Sequence, residues 1–465
     1  MQQNTFDLIV VGAGPGGYVA ALRAAQLGLR TAIVEREHLG GICLNWGCIP
    51  AKSLLRSAEV LDLMRRAEEF GLGADNVRHD LAAIVARSRE VVTRLTQGVR
   101  HLLRKGGVTI IEGEATLPAR GLVAVTDAHG KTSEYRARDI VIATGARARE
   151  LPGLESDGRR VWTYRHALVP ETTPERLLIV GSGAIGIEFA SFYRALGTEV
   201  TVVEVRDRIL PAEDAEISEL AGKQFTERGI RVLTSATVSS AECHADKVIC
   251  QIRQGDREHS LEVDNVISAV GITGNVEGLG LEALGVMLER NQVVVDACCR
   301  TDVAGIWAIG DVAGAPWLAH KASHEGTMVA ELIAGGSPSP VEPTDIPRCT
   351  YSQPQIASVG LTEEQARAHG RRVKVGRFPF QASGKALAQG EPQGLVKTIF
   401  DDATGELLGA HMIGADVTEL IHGYTVSRTL ETTGQELMDT VFPHPTLSEA
   451  LHESVLSAYG RALHY

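Results

Sequence analysis

Two stretches of this chain follow one pattern at a constant spacing. From Asp7 the sequence reads DLIVVGAGPGGYVAALRAAQLGLRTAIVE, and from Leu177 it reads LLIVGSGAIGIEFASFYRALGTEVTVVE. Gly12, Gly14, Gly17, Ala21, Gly28 and Glu35 of the first match Gly181, Gly183, Gly186, Ala190, Gly197 and Glu204 of the second, all at one numbering offset. In each, an apolar run, a glycine turn, an alanine-bearing helical stretch and a second apolar run predict a βαβ unit. The first glycine permits the tight turn, the second lets backbone approach a pyrophosphate, and the third allows close helix–strand packing, with the helix N-terminus facing the phosphates. The closing glutamate suits ribose hydroxyls. A lone G-x-G-x-x-G is a weak signal, because glycine turns between strand and helix are common; two in register, each ending in Glu, predict two dinucleotide sites.

Shortly after the first unit comes GGICLNWGCIPAKSL, Gly40 to Leu54, which holds Cys43 and Cys48. Residues five apart on an ideal helix have Cα atoms roughly 8 Å apart, beyond the reach of a disulfide. For the two to act as a redox-active pair the backbone between them must be distorted, and Gly47 supplies the freedom. Pro50 is tolerated in a first helical turn, so a helix is predicted from about Cys48 through Leu55, with Lys52 one turn beyond Cys48. A helix N-terminus and a nearby lysine both favour a thiolate. Spacing alone leaves two other readings open, a pair of buried unpaired thiols and half of a metal site. No partner motif for a metal tetrad occurs, and no metal is expected.

The whole chain sets bounds on what these motifs can serve. Its 465 residues, 44% hydrophobic, suffice for two or more packed domains. A formal net charge of -12 argues against a nucleic-acid-binding surface. MQQNTF leads into an apolar strand without the features of a signal peptide, and no apolar run approaches the roughly 20 residues that cross a bilayer. A cytoplasmic protein is expected, with no membrane partner. Seven irregularly spaced cysteines do not form a secreted disulfide framework, so a pair that oxidises is more in keeping with catalysis than with structure.

Two dinucleotide sites and a dithiol suggest electron relay between a nicotinamide and a sulfur pair, with a flavin as intermediary. Because the cysteines follow the first unit so closely, that unit is assigned to FAD and the second to NAD. Glu204 would repel the 2′-phosphate of NADP while bonding the free 2′-hydroxyl of NAD. Arg206 and Arg208, close by, read as solvated surface charge.

With these motifs, Ala143-Thr144-Gly145, the run GIWAIGDVAGAPWLAHKASHEG from Gly305, and HPTLSEALHES from His444, the chain resembles the class I pyridine nucleotide-disulfide oxidoreductases over its whole length. The resemblance implies an α/β fold with two Rossmann-like domains, for FAD and NAD, and a C-terminal α+β dimerisation domain. The implied order is residues 1–150 (first part of the FAD domain), 151–272 (NAD domain), 273–345 (central domain completing the FAD site) and 346–465 (interface domain). It further implies oxidation of protein-bound dihydrolipoamide through a Cys43–Cys48 disulfide, with hydride passed to NAD, in a homodimer. The partners it implies are the lipoyl domains and subunit-binding domain of a 2-oxo acid dehydrogenase complex. Carried over by position, Asp311 would hold the flavin ribityl chain, Leu318, Ala319 and His320 would lie along its ring or cap a helix, and Ala115 would meet FAD through its main chain. Val238 and Gly271 match neighbours of NAD. Lys52 resembles the lysine beside the flavin, paired with Glu188. A charged lysine there stabilises a reduced, anionic flavin.

His444 lies between Pro443 and Pro445, and a residue before proline is held extended. Thr446 to Glu449 also spells a capping box. The resemblance gives Glu449 a second role, orienting His444 as the base that acts on the dithiol of the other subunit. Three departures stand out. Ala51 and Phe442 replace residues common in the family, and Gly271 to Asn275 lacks the usual basic residues; none removes a reacting group. Two other readings are a glutathione-type reductase, against which Glu204 argues, and a docking flavoprotein with incidental catalysis.

Overall fold

The structure, a computed structural model, describes residues 4–465. Its chain divides into two compact units. One takes in the chain up to Ser53 together with Val85–Arg149 and Gly271–Pro343; the other comprises Leu54–Ile84, Glu150–Val270 and Thr344–Tyr465.

The first unit opens with β1 (Thr5–Val11), α1 (Pro15–Gln26) and β2 (Thr31–Glu35). The predicted βαβ unit is present, with β1 and β2 parallel and Val10 opposite Ile33. Next come α2 (Gly41–Trp46), α3 (Cys48–Arg65) and the long α4 (Leu81–Lys105). They are followed by β3 (Thr109–Glu112), β4 (Glu114–Ala119), β5 (Leu122–Thr126) and β6 (Thr132–Ile142). The sheet runs β3-β2-β1-β6-β5-β4, and Ile306–Ala308 joins beside β6. Leu8 and Val10 face one hydrophobic core while Ile9 and Val11 face another. A strand buried on both faces explains the unbroken apolar run. The helix Ala319–Ile333 crosses α1 at two glycines, where a Cβ on Gly326 would lie 2.5 Å from the Gly16 carbonyl oxygen.

In the second unit, Arg176–Val180 and Glu199–Val203 flank the helix Ala184–Ala195 as a second parallel βαβ unit. Their five-stranded parallel sheet is completed by Val161–Trp162, Asn265–Ser268 and Arg231–Leu233. Ala236–Cys243, Val248–Gln254 and Arg257–Val263 form an antiparallel sheet of three strands. The C-terminal part is a five-stranded antiparallel sheet against which the helices Val417–Thr429 and Ser448–Ala458 pack. Gly376 makes the second of these contacts possible, since its Cβ would sit 1.8 Å from the Ser454 carbonyl oxygen. Lys397, 3% exposed, meets Asp214 at 2.8 Å, Glu216 at 3.0 Å and Glu363 at 2.9 Å, so its buried charge is compensated.

Leu54–Ile84 falls in the second unit although the sequence expectation placed it within residues 1–150. The end of α3 is why: Arg65 donates to the Ala195 carbonyl (2.6 Å), and Arg66, just beyond the helix, to Glu391 and the Gly390 carbonyl (both 2.7 Å). Among the described residues no helix is long and apolar enough to cross a membrane.

Candidate active site

The first fingerprint loop is built by sterics. Gly12 has φ +102°, and a Cβ there would lie 2.3 Å from the Ala143 carbonyl oxygen. A Cβ on Gly17 would come within 1.9 Å of the Gly12 carbonyl oxygen, whereas one on Gly14 would meet nothing within 4 Å. Gly14 is the N-cap of α1 and supplies no side-chain cap, with Pro15 following. An open cradle at an uncapped helix start fits a dinucleotide pyrophosphate. The Glu35 carboxylate accepts from the amides of Ala13 and Glu37, both at 2.8 Å, which fixes it at the end of β2.

Around this loop, Ala143 donates to the Val11 carbonyl (2.7 Å), and the Thr144 hydroxyl donates to the Asn275 carbonyl (2.7 Å). Asn275 returns a bond to the Thr144 carbonyl (2.9 Å), and Gly145 takes φ +69°. Ala115 is buried on β4 opposite Val125. Asp311 sits in the short turn Gly310–Ala313. Burial pushes its carboxyl up to about 6, opposed by Lys321 and assisted by Glu325. Lys321 and Glu325 form a buried pair at 2.9 Å, and Glu325 also accepts from the Gly310 amide at 2.7 Å. Leu318 is the N-cap of the helix that Ala319 and His320 begin.

The cysteine stretch is fastened to the same loop. Gly40 donates to the Ala13 carbonyl at 2.8 Å. Gly41, at φ +59°, comes so near that its Cβ would be 2.6 Å from the Gly14 Cα. The helix breaks at Gly47 and restarts at Cys48, as the spacing predicts, and the two sulfurs stand 2.6 Å apart. Lys52 follows one turn later on α3. Hydrogen bonding of Cys43 to Cys48 pushes the Cys43 thiol far up; burial adds to this, and Lys52 opposes it.

The second fingerprint repeats the first. Gly181 has φ +102°, with its Cβ position 2.4 Å from the Ala269 carbonyl oxygen. The Gly186 Cβ would fall 2.0 Å from the Gly181 carbonyl oxygen, and Gly183 is again open and uncapped. Glu204 accepts from the Ser182 amide (2.9 Å) and hydroxyl (2.6 Å) and from the Arg206 amide (2.8 Å). Val238 lies at an irregularity in the Ala236–Cys243 strand. Gly271, at φ +106°, accepts from the Arg149 amide at 3.0 Å within the first unit, while the other residues expected at NAD lie in the second. Arg206 is exposed; Arg208 is tied to Glu364 at 3.0 Å, so it is an ion-pair partner more than a free surface charge.

In the C-terminal part, His444 Nδ1 lies 2.8 Å from Glu449 Oε1, and Glu449 Oε2 accepts from the Thr446 amide at 2.9 Å. One carboxylate thus bonds both the histidine ring and the Thr446 amide. Burial pushes the Glu449 carboxyl upward, but the bonds from Thr446 and His444 outweigh it and the net shift is downward. The capping box is only half formed. The Thr446 hydroxyl donates to the Pro443 carbonyl (2.7 Å) and the helix starts later, at Ser448. The His444 side chain is 81% exposed and its bond to Pro445 is cis. Glu188 is buried on its helix and accepts from the Tyr351 amide at 3.0 Å.

Some groups at the site escape sequence reasoning. The Lys321–Glu325 pair has a readable i, i+4 spacing, but burial is what gives it weight. Asn275, Arg87 and Arg89 leave no local signal, because their contacts with Thr144, Ser53 and Asn45 close over long separations.

Residues 6–326 match the pyridine nucleotide-disulphide oxidoreductase family, and residues 346–455 match the dimerisation domain of those proteins. A dihydrolipoyl dehydrogenase of Zymomonas mobilis is 57% identical and one of Rhizobium etli 55% identical, each alignment covering 99% of both chains. Among solved structures, LpdA of Mycobacterium tuberculosis superposes with a TM-score of 0.90 at 30% identity, covering 96% of this chain and 98% of that one. The HOCl-induced flavoprotein disulfide reductase RclA of Escherichia coli gives 0.87 at 28% identity, covering 97% and 99%. Both fingerprints, the juxtaposed cysteines and these matches lead to one conclusion: the chain belongs to the pyridine nucleotide-disulphide oxidoreductases.

Proposed function

We propose that this chain is a dihydrolipoyl dehydrogenase, a homodimeric flavoprotein that oxidises dihydrolipoamide with FAD and NAD. The observation that carries this reading is the pair of sulfurs 2.6 Å apart on a stretch bonded to the first fingerprint loop. Full-length similarity to dihydrolipoyl dehydrogenases supports the choice of substrate. Residues 1–150 and 273–345 would serve FAD, 151–272 NAD, and 346–465 the dimer.

FAD, when bound, supplies the two-electron exchange between a dithiol and the nicotinamide. Gly12, Gly14, Gly17 and Glu35 would hold its phosphate and ribose end, and Ala115, Ala143, Thr144, Gly145, Asp311, Leu318, Ala319 and His320 would line the rest. Gly181, Gly183, Gly186, Glu204, Val238 and Gly271 would serve NAD. His444 of the partner subunit, oriented by Glu449, takes a proton from one substrate thiol. The thiolate attacks Cys43 of the oxidised pair, which breaks the Cys43–Cys48 bond and leaves Cys48 as thiolate. The second substrate thiol then attacks the substrate sulfur of the mixed disulfide, releasing oxidised lipoamide and leaving Cys43 as thiol. Lys52, one turn from Cys48, would keep positive charge beside the thiolate and flavin. Lipoyl domains of a 2-oxo acid dehydrogenase complex are the substrate carriers in this reading, with its subunit-binding domain as the dock, in the cytoplasm.

The test is NADH formation by the purified holoenzyme given dihydrolipoamide. Turnover is expected with NAD, far less with NADP, and none with Cys48→Ser. Turnover surviving Cys48→Ser, or glutathione disulfide reduction by NADPH replacing the lipoamide reaction, would overturn the assignment.

A further inference from the structure

The peptide between the two cysteines needs an external support. Asn45 secures its near side with its own amide, donating to the carbonyls of Leu39 (3.0 Å) and Gly41 (2.8 Å). The break at Gly47 ends α2, so the carbonyls of its last turn lose their helical donors. One of them, the Asn45 carbonyl, receives a bond of 2.7 Å from the Arg89 guanidinium on α4. The same guanidinium lies over the Trp46 ring, 4.6 Å from its centroid. Arg87 reaches the far side of the pair and donates to the Ser53 hydroxyl at 2.8 Å.

From this geometry we infer that Arg89 is a positioning residue for the Cys43–Cys48 couple, clamping the turn through the Asn45 carbonyl and the Trp46 ring. A planar guanidinium can stack on an indole and bond a carbonyl at once, which an ammonium cannot do equally well. Holding Leu44 to Gly47 in one conformation keeps the sulfurs together and so favours disulfide closure over the open dithiol. Losing the clamp leaves the reacting groups in place but lowers their effective concentration. The couple then becomes easier to reduce. The inference rests on the assignment of Cys43 and Cys48 as the redox pair.

The experiment equilibrates the FAD-loaded protein with graded dithiothreitol buffers and quantifies alkylation of Cys43 and Cys48 by mass spectrometry. Arg89→Met is expected to shift the equilibrium toward the dithiol about tenfold, or ~30 mV for a two-electron couple. Arg89→Lys and Trp46→Leu should each give part of that shift, and they decide the matter if Arg89→Met does not fold. NADH oxidation by ferricyanide, which draws electrons from the flavin directly, should stay within twofold of wild type while lipoamide turnover falls. Equilibria of all folded variants matching wild type would overturn the clamp, as would equal losses in both activities. A wild type with no reversible Cys43–Cys48 bond would instead overturn the redox assignment on which the clamp depends.

Discussion

The two βαβ units diverge only after their glutamates. In both, the acidic side chain ties back to the residue after the first glycine, Ala13 or Ser182, and to an amide two positions on, Glu37 or Arg206. In both, the chain then returns and donates an amide to that same residue's carbonyl: Gly40 to Ala13 at 2.8 Å, Leu210 to Ser182 at 3.1 Å. Each returning residue has positive φ, +89° at Gly40 and +46° at Leu210. Beyond this point the first unit brings in the cysteine helix. The second leads to a helix over Ala215–Glu227 whose N-cap, Asp214, bonds the Glu216 amide at 3.1 Å. The second glycine of the pair, Gly41, makes the difference possible, since only a residue without a side chain can lie against Gly14 so closely. A shared scaffold thus acquires dithiol chemistry from what its return segment carries.

The largest effect should come from His444→Gln, which lowers lipoamide turnover by about 10²- to 10⁴-fold while NADH still reduces the flavin. Steady-state and single-turnover assays separate the two. Next, Gly17→Ala should abolish FAD retention, whereas Gly186→Ala should leave the protein yellow and weaken NAD. Either added methyl meets a carbonyl oxygen at about 2 Å, an overpacking of roughly 1–3 kcal/mol or more. Flavin content and NADH titration read the two results, and loss of flavin from both variants would erase the division of labour. Glu204→Gln should narrow NAD preference over NADP by about 10-fold, since one lost hydrogen bond to a charged group is worth roughly 1.5–3 kcal/mol.

The smallest effect concerns the C-terminal tail. His464 Nδ1 meets Glu453 at 2.7 Å, and that bond raises the His464 pKa above its ordinary value. A raised histidine stabilises the fold below its unfolded pKa and loses that contribution as pH climbs through the raised one. The melting-temperature gap between wild type and His464→Ala should therefore be present at about pH 6 and vanish by about pH 9.

Much of this was legible in the sequence because it is written in short-range code. The glycines at 12, 17, 181 and 186 stand where only glycine fits, and Gly47 breaks the helix where the Cys43–Cys48 spacing demands a break. The spacing from Thr446 to Glu449 gave the cap, while the His444–Glu449 contact was implied by the family resemblance alone. What could not be read are contacts closed by tertiary packing. Arg89 reaches Asn45 across an intervening α3, and Asn275 clasps Thr144 from the other end of an inserted domain. From Leu54 onward α3 belongs to a different unit from its first turns, and nothing in a continuous helical pattern marks that change. The glutamate half of the capping box formed, but the Thr446 hydroxyl donates to the Pro443 carbonyl and makes no cap to the helix, which starts at Ser448.

In the proposed function, the sulfurs held by the first fold exchange electrons with a nicotinamide bound by the second. That exchange is tested most directly by adding NADH anaerobically to the oxidised holoenzyme, quenching with an alkylating agent, and mapping the labelled cysteines. Cys43 and Cys48 should be protected before NADH and both labelled after it, with Gly186→Ala slowing the change and the other five cysteines unaffected. Label that does not depend on NADH, or that appears at Cys243, Cys250, Cys298, Cys299 or Cys349 instead, would contradict it.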